Sequence, residues 1–437
     1  MAMDGNQLGA MLAARRKLVG WSQEKLAERS NVSVRTIRNL ETGAIRNPRR
    51  SSVGLLLEAL RSVTPDNDSP VPHAARPGVS PTALLPGFEL DLLTDAVEVP
   101  PDAKWAGIRP KTDATIGRQA DVAHVMTTLR RGWPLVLTGP VGVGKTRLAL
   151  ECAARMLPRY RDGVAVLELG SLTPESADAR AAAEVRRLID QAVPTGAGSG
   201  GSTGPEPDML LVIDNAEHLL DAVTAEVKAL LARHPSLHIL ITSLRASASL
   251  PADLWEVAPL SCDWTQGTGA YPPAAELFFR RVHTAVPTLD LSDQMQDVVE
   301  LCRRLDGIPL AVEHAAFRLR SVPLRILIDG QPVLPMLHQD DAGGLSHGRS
   351  LHRSMAWAYG LLDSSQRSVL RQLVRLPEEF SIRDVLESAA DGDTPSSGTI
   401  DILSDLVDFS LLQVRRNRQY AYRISGMMSE YVGAVSA

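Results

Sequence analysis

The residues best suited to chemistry in this chain are Gly139-Pro140-Val141-Gly142-Val143-Gly144-Lys145-Thr146, which fill the pattern G-x-x-x-x-G-K-[ST] at every fixed position. Glycines there let consecutive backbone N–H groups turn inward around a phosphate. Lys145 then reaches the β and γ oxygens, and the Thr146 hydroxyl serves Mg²⁺. An acid is needed opposite that hydroxyl, and Asp214 supplies it at the end of the apolar run Met209–Ile213. Its expected role is to hold Mg²⁺ through water. Glu217, three residues on, is the candidate general base if the site has one. Thr242-Ser243 close a third run, Leu237–Ile241, at a place where many such folds carry a polar sensor of the γ-phosphate.

These groups meet only if the runs before them are neighbouring strands. The runs from Leu135, Met209 and Leu237 start 74 and then 28 residues apart, and they read as buried parallel strands with their ligands at the C-terminal edge. A helix from about Lys145 to Met156 points its positive end at the same anion. The loop alone would also suit a glycine turn in a Rossmann-like crossover; the series of strands favours a nucleotide-binding sheet. Ile116-Gly117-Arg118 precedes a helix over Asp121–Leu129, and Gly196–Gly204 reads as a flexible insertion. Helices follow over Ala275–His283 and Gln294–Leu305, then a turn with Gly307 and Pro309 feeding another helix. The rigid Pro309 is assigned to packing on adenine.

At the C-terminal end, helices over Leu351–Leu361, Ser365–Leu373, Ile382–Ser388 and Ile400–Phe409 precede Leu411–Val414 and Tyr420–Ile424. The last two read as a hairpin with Asn417 in its turn, crowded by Arg415, Arg416 and Arg418.

A length of 437 residues suits two to four domains. The net charge of -5 hides an asymmetry: residues 1–61 hold eleven Arg/Lys against five Asp/Glu. Cys152, Cys262 and Cys302 are sparse and scattered, which fits a reducing cytoplasm without disulfides or a zinc site. No stretch approaches eighteen apolar residues, so neither export nor a membrane partner is expected.

The basic N-terminal unit reads as short helices. Leu8 and Leu12 mark the first, ending near Gly20; Ser22 caps a second with Leu26 and Ala27 inward. Ser33 caps a third, whose buried stripe is Val34, Ile37 and Leu40, and which Gly43 ends. Two short helices joined by a tight turn have helix-turn-helix geometry, with double-stranded DNA as the expected partner. Arg35, Thr36 and Asn39 are placed to reach base edges, and Gln23, Arg38, Arg46, Arg49 and Arg50 to meet phosphates. A small protein-binding domain with a solvated basic face is the bland alternative. From Thr64 to about Pro110, nine prolines deny a continuous helix, and the segment reads as a linker with one short element around Phe88–Val99.

Ser22-Gln23-x-x-Leu26-Ala27 and Val32-Ser33-x-x-Thr36-Ile37-x-x-Leu40-Glu41-x-Gly43 resemble the phage-repressor-like helix-turn-helix family over residues 8–60. The resemblance implies sequence-specific DNA binding, usually as a dimer, with Glu41 structural. The rest of the chain resembles the STAND, or NB-ARC-type, nucleotide-switch ATPases, closest to actinobacterial regulators of antibiotic-biosynthesis clusters. Gly139–Thr146 with Arg147-Leu148-Ala149, then Asp214–His218, Arg303–Ala311, Ser354–Leu362 and Gln366–Leu370 carry the likeness. It implies ATP or ADP with Mg²⁺ at Gly139, Gly142, Gly144, Lys145, Thr146 and Arg147, Asp214 on the metal, and Pro309 on adenine. It also implies a winged helix that closes over the nucleotide.

Four departures bear on turnover. Leu244 sits where the family has arginine, with Arg245 one place late; Gln119 replaces an acid; Ser429 replaces an arginine; and Asn215 stands where fast ATPases carry a second acid. They weaken the expectation of efficient hydrolysis, not of binding.

The expected architecture is multidomain α/β. A helix-turn-helix head (1–64) is followed by the linker (65–110), a P-loop NTPase parallel α/β sheet (111–265), a helical subdomain (266–345) and a winged-helix domain (346–437). The expected function is a transcriptional regulator controlled by an ATP/ADP switch, homo-oligomeric, touching RNA polymerase or a signalling partner. The alternative is an oligomerising ATPase scaffold in defence or stress signalling.

Overall fold

The computed structural model describes residues 16, 21–30, 32–42, 56, 99–113, 115–172, 179–193, 206–264, 271–329, 332–337, 351–390, 396–416 and 420–436. The expectations placed on Leu8, Leu12, Gly20, Gly43, Arg46, Arg49, Arg50, residues 88–98, residues 196–204, Asn417 and Arg418 lie outside the described residues. Two compact units, Met1–Leu84 and Leu85–Ala437, divide the chain.

In the first unit, α1 (Gln23–Ser30) and α2 (Val34–Glu41) pack through Leu26, Val32, Ile37 and Leu40, with Leu56 against them. The Ser33 side chain accepts the Thr36 N–H and so starts α2, satisfying one of the donors a helix N-terminus leaves unpaired. A largely buried ion pair also ties Arg16 to α2. Arg16 donates from Nε and Nη2 to both carboxylate oxygens of Glu41, at 2.7 and 2.8 Å.

In the second unit, β1 (Trp105–Ala106), β2 (Leu135–Thr138), β3 (Gly163–Glu168), β4 (Met209–Asp214), β5 (His238–Thr242) and β6 (Asp253–Glu256) form one sheet, ordered β1-β3-β4-β5-β2-β6. Every pairing is parallel. Alternation splits each central strand between two cores. Leu135, Leu137, Leu210 and Val212 face one side, under α3 (Gln119–Leu129) and α4 (Lys145–Met156). Val136, Leu211 and Ile213 face the other, under α5 (Ala179–Ala192) and α6 (Leu220–Arg233). The central strands β2 and β4 are apolar up to their C-terminal residues because both faces are covered.

The end of the expected linker differs from its reading. Trp105 and Ala106 pair with Val164 and Ala165 as the sheet's edge, and the Trp105 indole donates to the Ile108 carbonyl at 2.9 Å. Proline density around them does not prevent a two-residue edge strand, since an edge needs partners on one side only.

A third core runs from Leu244 to Val432. It takes in α7 (Pro273–Ala285), α8 (Met295–Arg304), α9 (Pro309–Arg318) and α10 (Leu324–Asp329). The same core includes α11 (Leu351–Gly360), α12 (Ser364–Leu373), α13 (Ile382–Ala390), α14 (Ser396–Asp408) and α15 (Gly426–Ser436). A small antiparallel sheet, ordered β7 (Phe380–Ser381), β9 (Tyr420–Ile424), β8 (Leu412–Arg416), closes it. Asp363 opens α12 with a reciprocal capping box to Gln366.

Candidate nucleotide and nucleic-acid sites

The loop between β2 and α4 has the backbone that an anion cradle requires. Gly139, Gly142 and Gly144 sit at φ 137°, 77° and 97°, where a side chain is strained. Around a Cβ added to Gly144 there is open space, whereas one on Gly142 would stand 2.9 Å from Leu310 Cβ. Glycine at 142 is therefore what lets α9 approach: the Leu310 N–H donates to the Gly142 carbonyl at 3.2 Å. Pro309, the first residue of α9, is half-buried beside that contact. The first N–H groups of α4 have no intrahelical acceptor and point toward the loop's mouth.

Lys145 Nζ donates to the Gly139 and Pro140 carbonyls at 2.8 and 3.1 Å. Burial pushes its pKa down to about 8, against the opposing pull of Glu217 and Asp214.

Asp214 is 2 % exposed and held by three side chains. Thr146 and Thr242 hydroxyls donate to Oδ1, the former at 2.7 Å, and the Asn215 amide donates to Oδ2 at 2.9 Å. Burial raises this carboxyl's pKa, and the two hydroxyls pull it back. The sequence reading missed two of these partners. Asn215, taken only as a missing acid, adopts φ 60° and braces Asp214. Thr242, expected to sense phosphate, turns its hydroxyl to Asp214 and accepts the Asn215 N–H at 3.0 Å. Ser243 is fully buried and accepts the Arg245 N–H. Parallel pairing of β4 with β5 sets Thr242 beside Asp214, whose buried carboxylate takes the hydroxyl.

Glu217, on the turn before α6, is buried and accepts the Trp357 indole N–H at 3.0 Å. Arg147 turns from the loop: it donates to the Asp113 carbonyl at 2.9 Å and stands 3.8 Å from Glu313 of α9. Arg281 pairs with the same Glu313 and with Asp113. Arg118 braces the loop from behind. It is 7 % exposed, and its guanidinium donates to the Val143 carbonyl at 3.0 Å, the Ala258 carbonyl and Asp121. Its signal was the Gly117-Arg118 pair.

The C-terminal segment is fastened to this region. Asp306 accepts from Arg423, from the Ser425 hydroxyl and from the Gly426 N–H at the start of α15. Ser410 donates to the Leu244 carbonyl, and the Arg245 guanidinium lies over the Phe409 ring. Near the hairpin turn, Arg415 pairs with Glu379; on β9, Arg423 pairs with Asp306 and Glu378.

In the N-terminal unit, Arg35 is exposed and Asn39 half-buried on α2. Thr36 shares a 2.8 Å hydrogen bond with Ser33. Gln23 and Arg38 are linked to Glu41 within the unit. Arg38 Nε donates to Gln23, and Gln23 donates to Glu41, because Glu41 faces α1 and gathers donors around its buried charge.

The chain thus combines a helix-turn-helix head with a parallel sheet of the P-loop NTPase kind and further helical and β subdomains. A family model described as Helix-turn-helix matches residues 12–66. "Putative HTH-type transcriptional regulator Rv0890c" of Mycobacterium tuberculosis is 34% identical over 280 residues, 64% of this chain and 31% of that protein. The match therefore spans about a third of that relative. "Uncharacterized protein Rv0894" of the same species is 29% identical over 325 residues, 72% of this chain and 79% of that one. Among solved structures, the Walker-type ATPase of Pyrococcus abyssi superposes at a TM-score of 0.47 with 15% identity, covering 75% of this chain and 99% of that one. No helix among the described residues is long and apolar enough to cross a membrane.

Proposed function

We propose that this chain is a DNA-binding transcriptional regulator whose conformation is set by bound ATP or ADP. The observation that carries the reading is the meeting of Thr146 with Asp214 at 2.7 Å beneath a left-handed glycine loop, in a chain that also carries a helix-turn-helix. Gly139, Gly142, Gly144 and Lys145 would hold the β and γ phosphates, and Pro309 would meet adenine. Among the described residues no three His, Cys, Asp or Glu side chains form a metal cluster. Mg²⁺ would accordingly share Thr146 and Asp214 with phosphate and water, as is usual for this ion. It would neutralise the charge of the phosphates. Arg147, through Asp113 and Glu313, serves to tie α4 to α9 in this reading.

The finer reading is a switch of the STAND type, acting as a homo-oligomer on a secondary-metabolite pathway through RNA polymerase or a signalling partner. It is supported by the sequence resemblance alone; the name of the 34% relative supports transcription regulation and nothing finer. The units proposed are 1–64 for DNA, 111–265 for nucleotide, 266–345 and 346–437 for coupling.

Duplexes selected from a random pool, titrated by anisotropy against the full chain with ADP or with ATP, test this. Selective binding whose affinity differs between the two nucleotides is the expected result. Nucleotide-sensitive assembly without any duplex binding would favour the signalling scaffold instead.

A further inference from the structure

We propose that Trp357 is a positioning residue for nucleotide hydrolysis, its indole N–H latching Glu217 so that the C-terminal segment governs when this carboxylate can serve water. The inference rests on the nucleotide reading above.

Trp357 lies on α11, and its Nε1 donates to Glu217 Oε1 at 3.0 Å across 140 residues of sequence. The ring of His218, next to Glu217, stands edge-on to the indole at 5.0 Å and 78°. The Glu217 charge is felt at the loop: it opposes the lowering of the Lys145 pKa that burial causes, and it adds, after burial, to the raising of Asp214. A buried carboxylate beside the loop is thus committed to a donor from another subdomain. The Ser410–Leu244 bond and the three donors on Asp306 hold that subdomain in register, so α11 returns the same N–H to the same oxygen.

In hydrolysis, a water oxygen bonds to the γ-phosphorus of ATP while the bond to the β,γ-bridging oxygen breaks. That oxygen leaves with the electron pair on ADP. One water proton passes to Glu217 and then to solvent, giving ADP and inorganic phosphate. An oxygen that accepts an indole N–H is a weaker acceptor for that proton, and its direction is set by Trp357 instead of by water. Moving α11 away releases it.

The test uses the full chain and its Trp357→Phe variant, which keeps an aromatic ring beside His218 while removing the indole N–H donor. Calorimetry first establishes ATP binding; single-turnover phosphate release with ATP and Mg²⁺ follows. Release is expected to rise about tenfold in Trp357→Phe, the order expected when one hydrogen bond to a charged group is removed. The gain is expected to vanish when Glu217→Gln is added. Unchanged or slower release with ATP bound, no release from either protein, or the same gain in the Glu217→Gln background would each overturn the latch. Failure of the native chain to bind ATP would instead remove the nucleotide reading, and the latch with it. Should Trp357→Phe not fold, amide exchange of residues 351–360 in Glu217→Leu, which has no acceptor for the indole N–H, decides. Faster local exchange is expected, and unaltered protection overturns the proposal.

Discussion

Raising the pH from 7 to 9 should weaken ADP and ATP binding about tenfold, through Lys145 alone. The amine of the half-buried Lys145 lies against the Gly139 and Pro140 carbonyls, and desolvation lowers its pKa to about 8. A polyphosphate beside it favours the charged form and returns the pKa toward the ordinary lysine value of about 10.4. Binding then takes up a proton wherever the free amine has lost one. The sign follows: affinity is greatest below pH 8 and falls through the interval between the two pKa values. At pH 9 about a tenth of the free amines remain charged, so the apparent affinity drops by about that factor. The phosphates' own second ionisation, near ~6, is complete over this range. Calorimetry at fixed ionic strength across pH 7–9 reads the slope. Lys145→Arg, charged throughout, should bind with a flat profile, and Lys145→Ala weakly and also flat. A flat profile for the native chain, or the same slope in Lys145→Ala, would refute the reasoning.

Three further outcomes are expected. Gly142→Ala would drive a methyl to within 2.9 Å of Leu310 Cβ at φ 77°, costing ~1–3 kcal/mol; thermal unfolding would show the loss and nucleotide affinity would fall with it. Glu41→Ala leaves the Arg16 guanidinium without its bidentate partner in a site where the two side chains are 11% and 7% exposed. Breaking such a pair costs ~3–5 kcal/mol, so the helix-turn-helix region should lose amide-exchange protection even though no base-reading residue is touched. Asn39→Ala should flatten preference among duplexes by ~1–3 kcal/mol while general affinity changes little; competition binding at fixed salt separates the two, and an equal loss on every duplex would make Asn39 a backbone contact.

What the sequence determined by itself is local. The G-x-x-x-x-G-K-[ST] string dictates its own turn because glycine alone tolerates the required φ values, and the helix it opens spans Lys145–Met156 as read. Met209–Asp214 declares a strand covered on both faces because it has no polar alternation. Ser33 caps α2 from a position fixed by three residues of spacing. The tertiary structure decided which polar groups face one another. Thr242 and Asn215 could not be read as the braces of Asp214, since that depends on β4 lying beside β5. Nor could Gln23 and Arg16 be read as partners of Glu41, which requires α1 and α2 to be packed. Glu217 shows the limit most clearly. Its type and place after the acidic strand suggest a base, but the indole that holds it arrives from α11, and only the fold of the intervening 139 residues brings it there. Spacing along a chain fixes geometry over one or two turns; beyond that, a buried charge takes whichever donor packing delivers.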